Sequence, residues 1–267
     1  MFLERIYDLA LPRLAEKKVR EVRIGLGLMG VELDDGSIGV TYVLRKETLH
    51  TCSALKESGE MVGRSAAEIA GWGVRGKNVI TTALGLAVLN SVADFNHLKK
   101  DEGFRENDAV FSVDVRPTDA VGMIGHIGPL VSGLKSKARH LLIFERGEDV
   151  RDEIYPESAE PRLLPACQVV FVSSTSLINR TLEDVLSYCS AARDVVMVGS
   201  STPLYPEAFK GSRVTMLSGT RWLPAHGEAI LSGISQCAGI RQLIQYGQKI
   251  SVRVPAGVPF QGRMDTL

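Results

Sequence analysis

The chain has 267 residues, 45% of them hydrophobic, and its 31 basic side chains balance its 31 acidic ones, so the formal net charge is zero. This balance argues against a nucleic-acid-binding surface, and the lack of an apolar run of roughly 20 residues argues against a membrane span. The N-terminus carries no secretory signal and the four cysteines form no C-x-x-C pair, so we expect a cytoplasmic protein with reduced thiols.

The N-terminal part of the chain predicts a helix followed by a hairpin. Apolar positions at helical spacing predict a helix over residues 2–17, which Pro12 should kink or divide. Residues 21–29 alternate between apolar and polar and predict a strand. A turn ending at Gly36 connects this strand to a second one over residues 37–44, which gives an antiparallel pair.

Two helices follow the hairpin in the predicted order of elements. Ser65 and Glu68 fit a capping box, so a helix begins there. Residues 78–93 are rich in Ala, Leu and Val and predict a long helix that is buried on most sides. The first part of the chain is therefore predicted to be a small α+β unit.

A charged segment over residues 97–108, with seven charged side chains in twelve, is the predicted linker. We therefore expect two domains, at residues 1–97 and 108–267. In the second, strand and helix alternate, which predicts an open, mainly parallel α/β sheet covered by helices on both faces. Its strands are predicted at 120–124, 140–145, 168–173, 194–198 and 214–217, with helices at 130–137, 181–188 and 225–237.

A glycine loop follows the first of these strands. Gly125, His126 and Gly128 form a tight turn before the helix, and Glu145 comes 20 positions after Gly125, at the end of the next strand. This is the layout of a nucleotide-type βαβ unit, in which glycines and a helix N-terminus approach a ligand. Because the glycine spacing differs from G-x-G-x-x-G, a turn that holds no ligand is the alternative.

Every predicted strand of the second domain is followed by glycine, small hydroxyls or a charged pair. The carboxyl ends of parallel strands share one edge of a sheet, where ligands bind. Small polar groups and free main-chain N–H groups there suit a polar or anionic ligand, although they are also ordinary loop and cap residues. The residues are Gly125, His126 and Gly128; Glu145 and Arg146; Ser173 to Ser176 with Asn179; Gly199 to Thr202; and Ser218, Gly219 and Thr220.

Common catalytic motifs are missing from the sequence, including G-x-S-x-G, H-E-x-x-H and the phosphate-binding G-x-x-x-x-G-K-[ST]. His126 is the one histidine of five inside the candidate site, and His126 and Glu145 are the candidate ligands for a heavy or transition metal such as zinc, iron or nickel. Because two ligands bind metal weakly, a chelating small molecule would have to complete the coordination shell.

The sequence also resembles a known family. Residues 120–131, 173–184, 198–206 and 217–220 resemble the putative heavy-metal chelation domain family, and residues 39–44 and 82–90 are similar to the companion domain that precedes it. The resemblance covers residues 1 to about 240. It implies an enolase N-terminal-like domain, a Rossmann-like domain and a site between them, and it implies no established reaction.

Three functions fit these observations. The first is a protein that binds a small anionic ligand, a metal or a metal complex in the cleft between the domains, with a role in heavy-metal chelation. The second is a transferase that holds a nucleotide-like cofactor, such as a methyl donor, on the glycine loop. The third is a non-catalytic assembly protein, and the sequence leaves open whether the chain is an enzyme or a homo-oligomer.

The candidate ligand-binding residues are Gly125, His126, Gly128, Glu145, Thr175, Asn179, Ser200, Ser201, Thr202, Gly219 and Asn90.

Overall fold

The computed structural model describes residues 1–48, 55–98, 113–147 and 154–258. Within these ranges the chain forms a three-stranded antiparallel sheet followed by a seven-stranded, mainly parallel sheet. The predicted fold class, a small α+β unit ahead of a Rossmann-like α/β unit, is therefore confirmed. The predicted linker at residues 97–108 falls almost wholly outside the described residues.

The N-terminal unit is a three-stranded meander covered by helices. Its helix α1 runs through Pro12 without interruption and ends at Leu14, so the predicted division of this helix is wrong. A proline this close to the C-terminal end disturbs only the last turn. The elements are α1 (Phe2–Leu14), β1 (Val19–Ile24), β2 (Leu28–Leu33), β3 (Ile38–Tyr42), α2 (Ala66–Arg75) and α3 (Val79–Ser91).

The single strand predicted over residues 21–29 is also wrong. The chain turns there, and the Gly25 N–H donates to the Leu28 carbonyl at 2.8 Å. Leu26, which continued the apolar alternation, is 61% exposed at the tip of this turn. Val22, Ile24, Leu26 and Leu28 continue the apolar alternation through the turn, so the pattern did not mark the reversal.

The C-terminal unit has the strand order β10-β9-β8-β7-β4-β5-β6, in which every neighbouring pair is parallel except β10 with β9. Its elements are β4 (Ala120–Ile124), α4 (Gly128–Lys135), β5 (His140–Glu145), β6 (Ile154–Pro156), α5 (Glu160–Leu163), β7 (Val169–Ser173), α6 (Thr175–Ile178), α7 (Leu182–Tyr188), β8 (Asp194–Val198), β9 (Met216–Trp222), α8 (Gly227–Ser235), α9 (Ile240–Leu243) and β10 (Gly247–Arg253).

One predicted loop of this unit is a strand. Ser218, Gly219 and Thr220 were expected after a strand at residues 214–217, but they lie inside β9 and pair with β10. The apolar run ends at Leu217, whereas the strand continues because β10 supplies hydrogen-bond partners to its polar half. The edge strands β6 and β10 were not predicted.

The large sheet buries apolar side chains on both of its faces. Along β7, Val169 and Phe171 belong to the core on the α4 side, whereas Val170 and Val172 belong to the core shared with the N-terminal unit. This alternation is the two-residue period of a strand covered on both faces.

Helix α8 of the C-terminal unit also packs against the small sheet and so joins the two units. Its residues Ile230, Leu231 and Ile234 are buried in one cluster with Leu28 and Val40 of the small sheet. The small sheet therefore packs against α3 of its own unit and against α8 of the C-terminal unit. This shared packing fixes the edge of the small sheet relative to the large one. No helix in the described ranges has the length and apolar character needed to span a membrane.

Candidate functional site

The loops that follow β8, β7, β4 and β5 lie side by side, because these four strands are consecutive in the sheet and parallel. Their carboxyl ends form one edge, which is where open α/β sheets bind ligands. The end of β3 and the end of α3 reach the same edge from the N-terminal unit, through contacts with Ser201.

The loop after β4 turns sharply at Gly125. This residue has a φ of +83°, and a Cβ atom added to it would lie 3.1 Å from the Cβ of Ser173. Its N–H donates to the Phe144 carbonyl at 2.8 Å. Only glycine meets both the conformation and the close approach without strain, so the loop is held tightly against the ends of β5 and β7.

The next residue of this loop is bound by a carboxylate. The main-chain N–H of His126 donates to Oε1 of Glu145 at 2.5 Å, while the His126 side chain is exposed and its Cε1 lies over Gly128. The negative charge of Glu145 therefore stands at the N-terminal end of α4. Because this carboxylate already occupies the place, a ligand group that approaches it is favoured when it is a hydrogen-bond donor or a cation.

The metal hypothesis depends on His126 and Glu145. The structure places Glu145 against the main chain of His126, and in the described part of the chain no three His, Cys, Asp or Glu side chains come together as a metal site. Two donors do not complete a stable coordination shell. The described residues alone therefore do not fit a directly ligated metal, and the ligand would have to supply the remaining donors.

Four consecutive hydroxyl residues, Ser173 to Ser176, end β7 and begin the segment after it. Ser173 and Thr175 hydrogen-bond to each other through Oγ and Oγ1 at 2.8 Å, whereas Ser174 is 1% exposed and its hydroxyl has no partner. Asn179 accepts a hydrogen bond from the Thr181 hydroxyl at 2.9 Å. Asn179 is therefore engaged in a local turn, and Ser174 and Ser176 are the hydroxyls of this segment that the described protein leaves unpaired.

The loop after β8 packs directly on the β7 loop. Gly199 has a φ of +131°, and a Cβ there would lie 2.9 Å from the Ser174 hydroxyl. Ser200, Ser201 and Thr202 follow and are all buried. Gly219 supports this loop from within β9, since its Cβ position would lie 2.8 Å from the Thr202 carbonyl.

The N-terminal unit closes the site at Ser201. Asn90, at the end of α3, donates from Nδ2 to the Ser201 carbonyl at 3.1 Å, and the Tyr42 N–H donates to the Ser201 hydroxyl at 2.8 Å. Burial raises the pKa of the Tyr42 phenol, and the neighbouring Ser200 hydroxyl partly offsets this. Asn90 was among the residues predicted from the sequence, whereas Tyr42 was not. The position of Tyr42 at the end of a strand could have indicated it.

Buried polar atoms without a partner concentrate at this edge. In the described chain six buried side-chain polar atoms lack a hydrogen bond, and five of them belong to the two loops or to Asn90. An unpaired buried polar group costs about 1–3 kcal/mol, and native proteins contain few of them. The five are Asn90 Oδ1, Ser174 Oγ, Ser176 Oγ, Ser200 Oγ and Thr202 Oγ1, of which Ser200 lies beside Tyr42 without a well-formed hydrogen bond.

A charged cluster borders the site beyond β5. Arg146 donates from Nε to Glu157 and from Nη1 to Glu47, at 2.7 Å in both cases. Glu160 is near enough to this cluster to be affected by the charges of Glu157 and Arg146, and it is 6% exposed. Burial, together with the charge of Glu157, raises the pKa of Glu160 to about 7, and Arg146 opposes this.

Solved structures share this architecture. A protein of unknown function of the DUF364 family from Pyrococcus horikoshii superposes with a TM-score of 0.77 and 23% identity, covering 95% of this chain and 100% of that one. A protein of the same family from Desulfitobacterium hafniense gives a TM-score of 0.74 at 23% identity, covering 94% and 98%. At these identities the likeness establishes the fold alone.

Sequence comparisons cover both units. An uncharacterised protein of Methanocaldococcus jannaschii is 29% identical over 146 residues, which is 54% of this chain and 56% of that protein. The family models DUF4213 and DUF364, both described as putative heavy-metal chelation, match residues 7–93 and 108–253. This chain therefore belongs to the putative heavy-metal chelation family, with DUF4213 in its N-terminal unit and DUF364 in its C-terminal unit.

Proposed function

We propose that this chain is a cytosolic protein that binds a small polar ligand, or a metal carried by such a ligand, at the carboxyl edge of the large sheet. The ligand lies between the loops after β4, β7 and β8 and the residues Tyr42 and Asn90 of the N-terminal unit. Metal chelation, as the family description suggests, is then a property of the complex of protein and ligand.

The observation that carries the proposal is the group of five buried polar atoms without a protein partner. Asn90 belongs to the N-terminal unit, and the other four belong to the segments after β7 and β8, which Gly199 brings close together. Polar groups that the protein leaves unpaired are satisfied by something outside the described chain, which is ordered water or a ligand. Hydroxyl and amide groups form hydrogen bonds with a neutral or anionic polar group without adding charge of their own.

The negative charge of Glu145 further restricts the chemical groups that the ligand can carry. Because its carboxylate stands at the His126 N–H, the end of the ligand near α4 carries an amine, a hydroxyl or a metal ion. The end near Ser174 and Thr202 carries hydrogen-bonding oxygen or nitrogen atoms. A chelator with donor atoms at both ends meets both requirements, and His126 and Glu145 then add ligands from the protein.

Native mass spectrometry of the purified protein, combined with elemental analysis, tests the proposal. We expect a bound mass that disappears on denaturation, and the same spectra count the subunits. A thermal-shift panel follows, with zinc, nickel and iron salts, citrate, free histidine, their metal complexes and S-adenosylmethionine, because a compound that binds only the folded state raises the melting temperature.

The deciding comparison is between the stabilisation by a free metal ion and the stabilisation by its complex with citrate or histidine. Stabilisation by a metal–citrate or metal–histidine complex that exceeds the effect of either component supports the proposal. Stabilisation by S-adenosylmethionine, lost in the Glu145→Gln variant, would instead support the transferase. No bound mass and no stabilisation by any compound of the panel would contradict binding at this edge and favour the assembly protein.

A further inference from the structure

Residues 42–47 are attached to the large sheet at two separate strands. At one end, the Tyr42 N–H donates to the hydroxyl of Ser201, which follows β8. At the other end, Glu47 accepts a hydrogen bond from Arg146, which follows β5. The Lys46 ammonium also lies close to Gly147, 3.5 Å from where a Cβ of that glycine would stand.

These two attachments determine the path of the segment. In the sheet, β7 and β4 lie between β8 and β5. Strands are about 4.8 Å apart, so the ends of β8 and β5 are separated by about 14 Å, whereas five residue steps reach about 17 Å at most. The last three residues of the segment, Arg45–Glu47, form a 3-10 turn with a rise of about 2 Å per residue, so the segment spans most of this distance and the side chains of Glu47 and Arg146 complete the link past the ends of β7 and β4. Val43 and Leu44 are partly buried against the core on the way.

We infer that residues 42–47 form a strap across the candidate site, and that Arg146 is a positioning residue whose ion pair with Glu47 latches the strap at its β5 end. The hydrogen bond between the His126 N–H and Glu145 is exposed with the strap in place, so strap opening at the latch widens the approach to the buried hydroxyls of the β7 and β8 loops, and the strap controls access to them. The consequence for ligand entry rests on the proposed function, whereas the strap and its latch do not.

The two ends of the strap differ in strength. Ser201 is fully buried, and its hydrogen bond with Tyr42 lies in the junction between the units. The side chains of Arg146 and Glu47 are 46% and 34% exposed, so their ion pair is weak and is screened by salt. Opening therefore begins at the Glu47 end.

Arg146 also makes the opening reversible at low cost. When Glu47 leaves, Arg146 keeps its hydrogen bond with Glu157 at 2.7 Å. No buried charge is then left without a partner, which is the situation that makes the breaking of an ion pair expensive. The arrangement of one arginine between a carboxylate of the strap and a carboxylate of its own unit fits a latch better than a permanent bond.

Hydrogen–deuterium exchange on the ligand-free protein tests the strap, with Glu47→Gln as the variant and Glu157→Gln as its matched control. Both substitutions remove one carboxylate from Arg146, but only the first removes the contact with the strap. We expect Glu47→Gln to raise exchange at the Glu47 and Thr48 amides by about two- to five-fold, the shift that loss of an exposed ion pair produces. Glu157→Gln should change these amides by less than two-fold.

High salt provides a second measurement on the same proteins. Raising sodium chloride to 1 M should increase exchange at the same amides in the parent and have little further effect in Glu47→Gln. Equal exchange in the two variants, or an increase spread over the whole chain, would overturn the latch. Because no ligand is present, absence of a natural ligand would contradict the proposed function and leave this result standing.

Discussion

The Ser201 hydroxyl accepts the Tyr42 N–H at 2.8 Å, whereas the hydroxyl of Thr202, the next residue, is buried without a partner. Two adjacent hydroxyls in the same loop thus have opposite roles. Ser201 holds the two units together, whereas the Thr202 hydroxyl makes no hydrogen bond within the described protein. We therefore expect Ser201 to matter for the fold and Thr202 for the binding proposed above.

Removing the unpaired hydroxyls should therefore preserve or raise stability while weakening binding. We expect Thr202→Val and Ser174→Ala to leave the free energy of unfolding within about 1 kcal/mol of the parent or above it, because no protein hydrogen bond is lost. Ser201→Ala, the matched control, should cost about 1–3 kcal/mol because the Tyr42 N–H loses its acceptor. Urea unfolding measures all three, and a loss of more than 1 kcal/mol in Thr202→Val would indicate a structural partner such as ordered water.

The Gly125 turn gives a second matched pair of variants. Gly125→Ala forces a side chain onto a φ of +83° and brings its Cβ to 3.1 Å from Ser173, so we expect a cost of about 1–3 kcal/mol and weaker ligand binding. The control is Gly128→Ala, where the nearest atom, Cε1 of His126, would be 3.9 Å away. That variant should stay within about 0.5 kcal/mol of the parent. Equal melting temperatures for the two variants would show that neither the φ of Gly125 nor its close approach to Ser173 limits stability.

Much of the fold could be predicted from local pattern. The strands at Ala120–Ile124, His140–Glu145 and Asp194–Val198 were predicted with their observed bounds, because buried parallel strands are short apolar runs between clear turn residues. The hairpin at Gly25 was missed because alternation continued through the turn. The polar half of β9 was missed because its partner, β10, lies about thirty residues further along the chain.

The loops that form the candidate site could be predicted from the sequence, whereas most contacts between its residues could not. Glu145 ends a strand and Gly125 and Ser201 follow strands, and strand ends converge in any sheet of this class. The Ser201 hydroxyl is hydrogen-bonded because Tyr42, a residue of the other unit, reaches it. The local sequence around Ser201 does not contain that information. The cluster of Arg146 with Glu47 and Glu157 is non-local for the same reason.

The boundary between the two predicted domains remains open to a direct test. The charged segment at residues 97–108 should be cut first in limited proteolysis, because charged, polar segments between domains are accessible to proteases. The two fragments should nevertheless stay together on a sizing column, since α8 packs against the small sheet. A first cut inside α3, or separation of the fragments without denaturant, would contradict this organisation.

Glu160 predicts how stability depends on pH. Burial raises its pKa to about 7 in the folded protein, from an ordinary value of 4.5, so the folded state keeps a proton that the unfolded state has already lost. Between pH 4.5 and 7 the unfolded state binds fewer protons, and the contribution of Glu160 to stability therefore falls as pH rises. Above pH 7 both states are ionised and the contribution stays constant.

The variant Glu160→Gln should remove this dependence. We expect it to be more stable than the parent at pH 8 by roughly 3 kcal/mol at most, and to lose that advantage near pH 4.5, since each pKa unit corresponds to about 1.4 kcal/mol. Urea unfolding at pH 4.5, 6 and 8 measures the difference, with the exposed residue of α7 changed by Glu183→Gln as the control for losing a carboxylate. An advantage that grows as pH falls would have the wrong sign for a buried carboxyl, and it would mean that Arg146 stabilises ionised Glu160 in the folded protein.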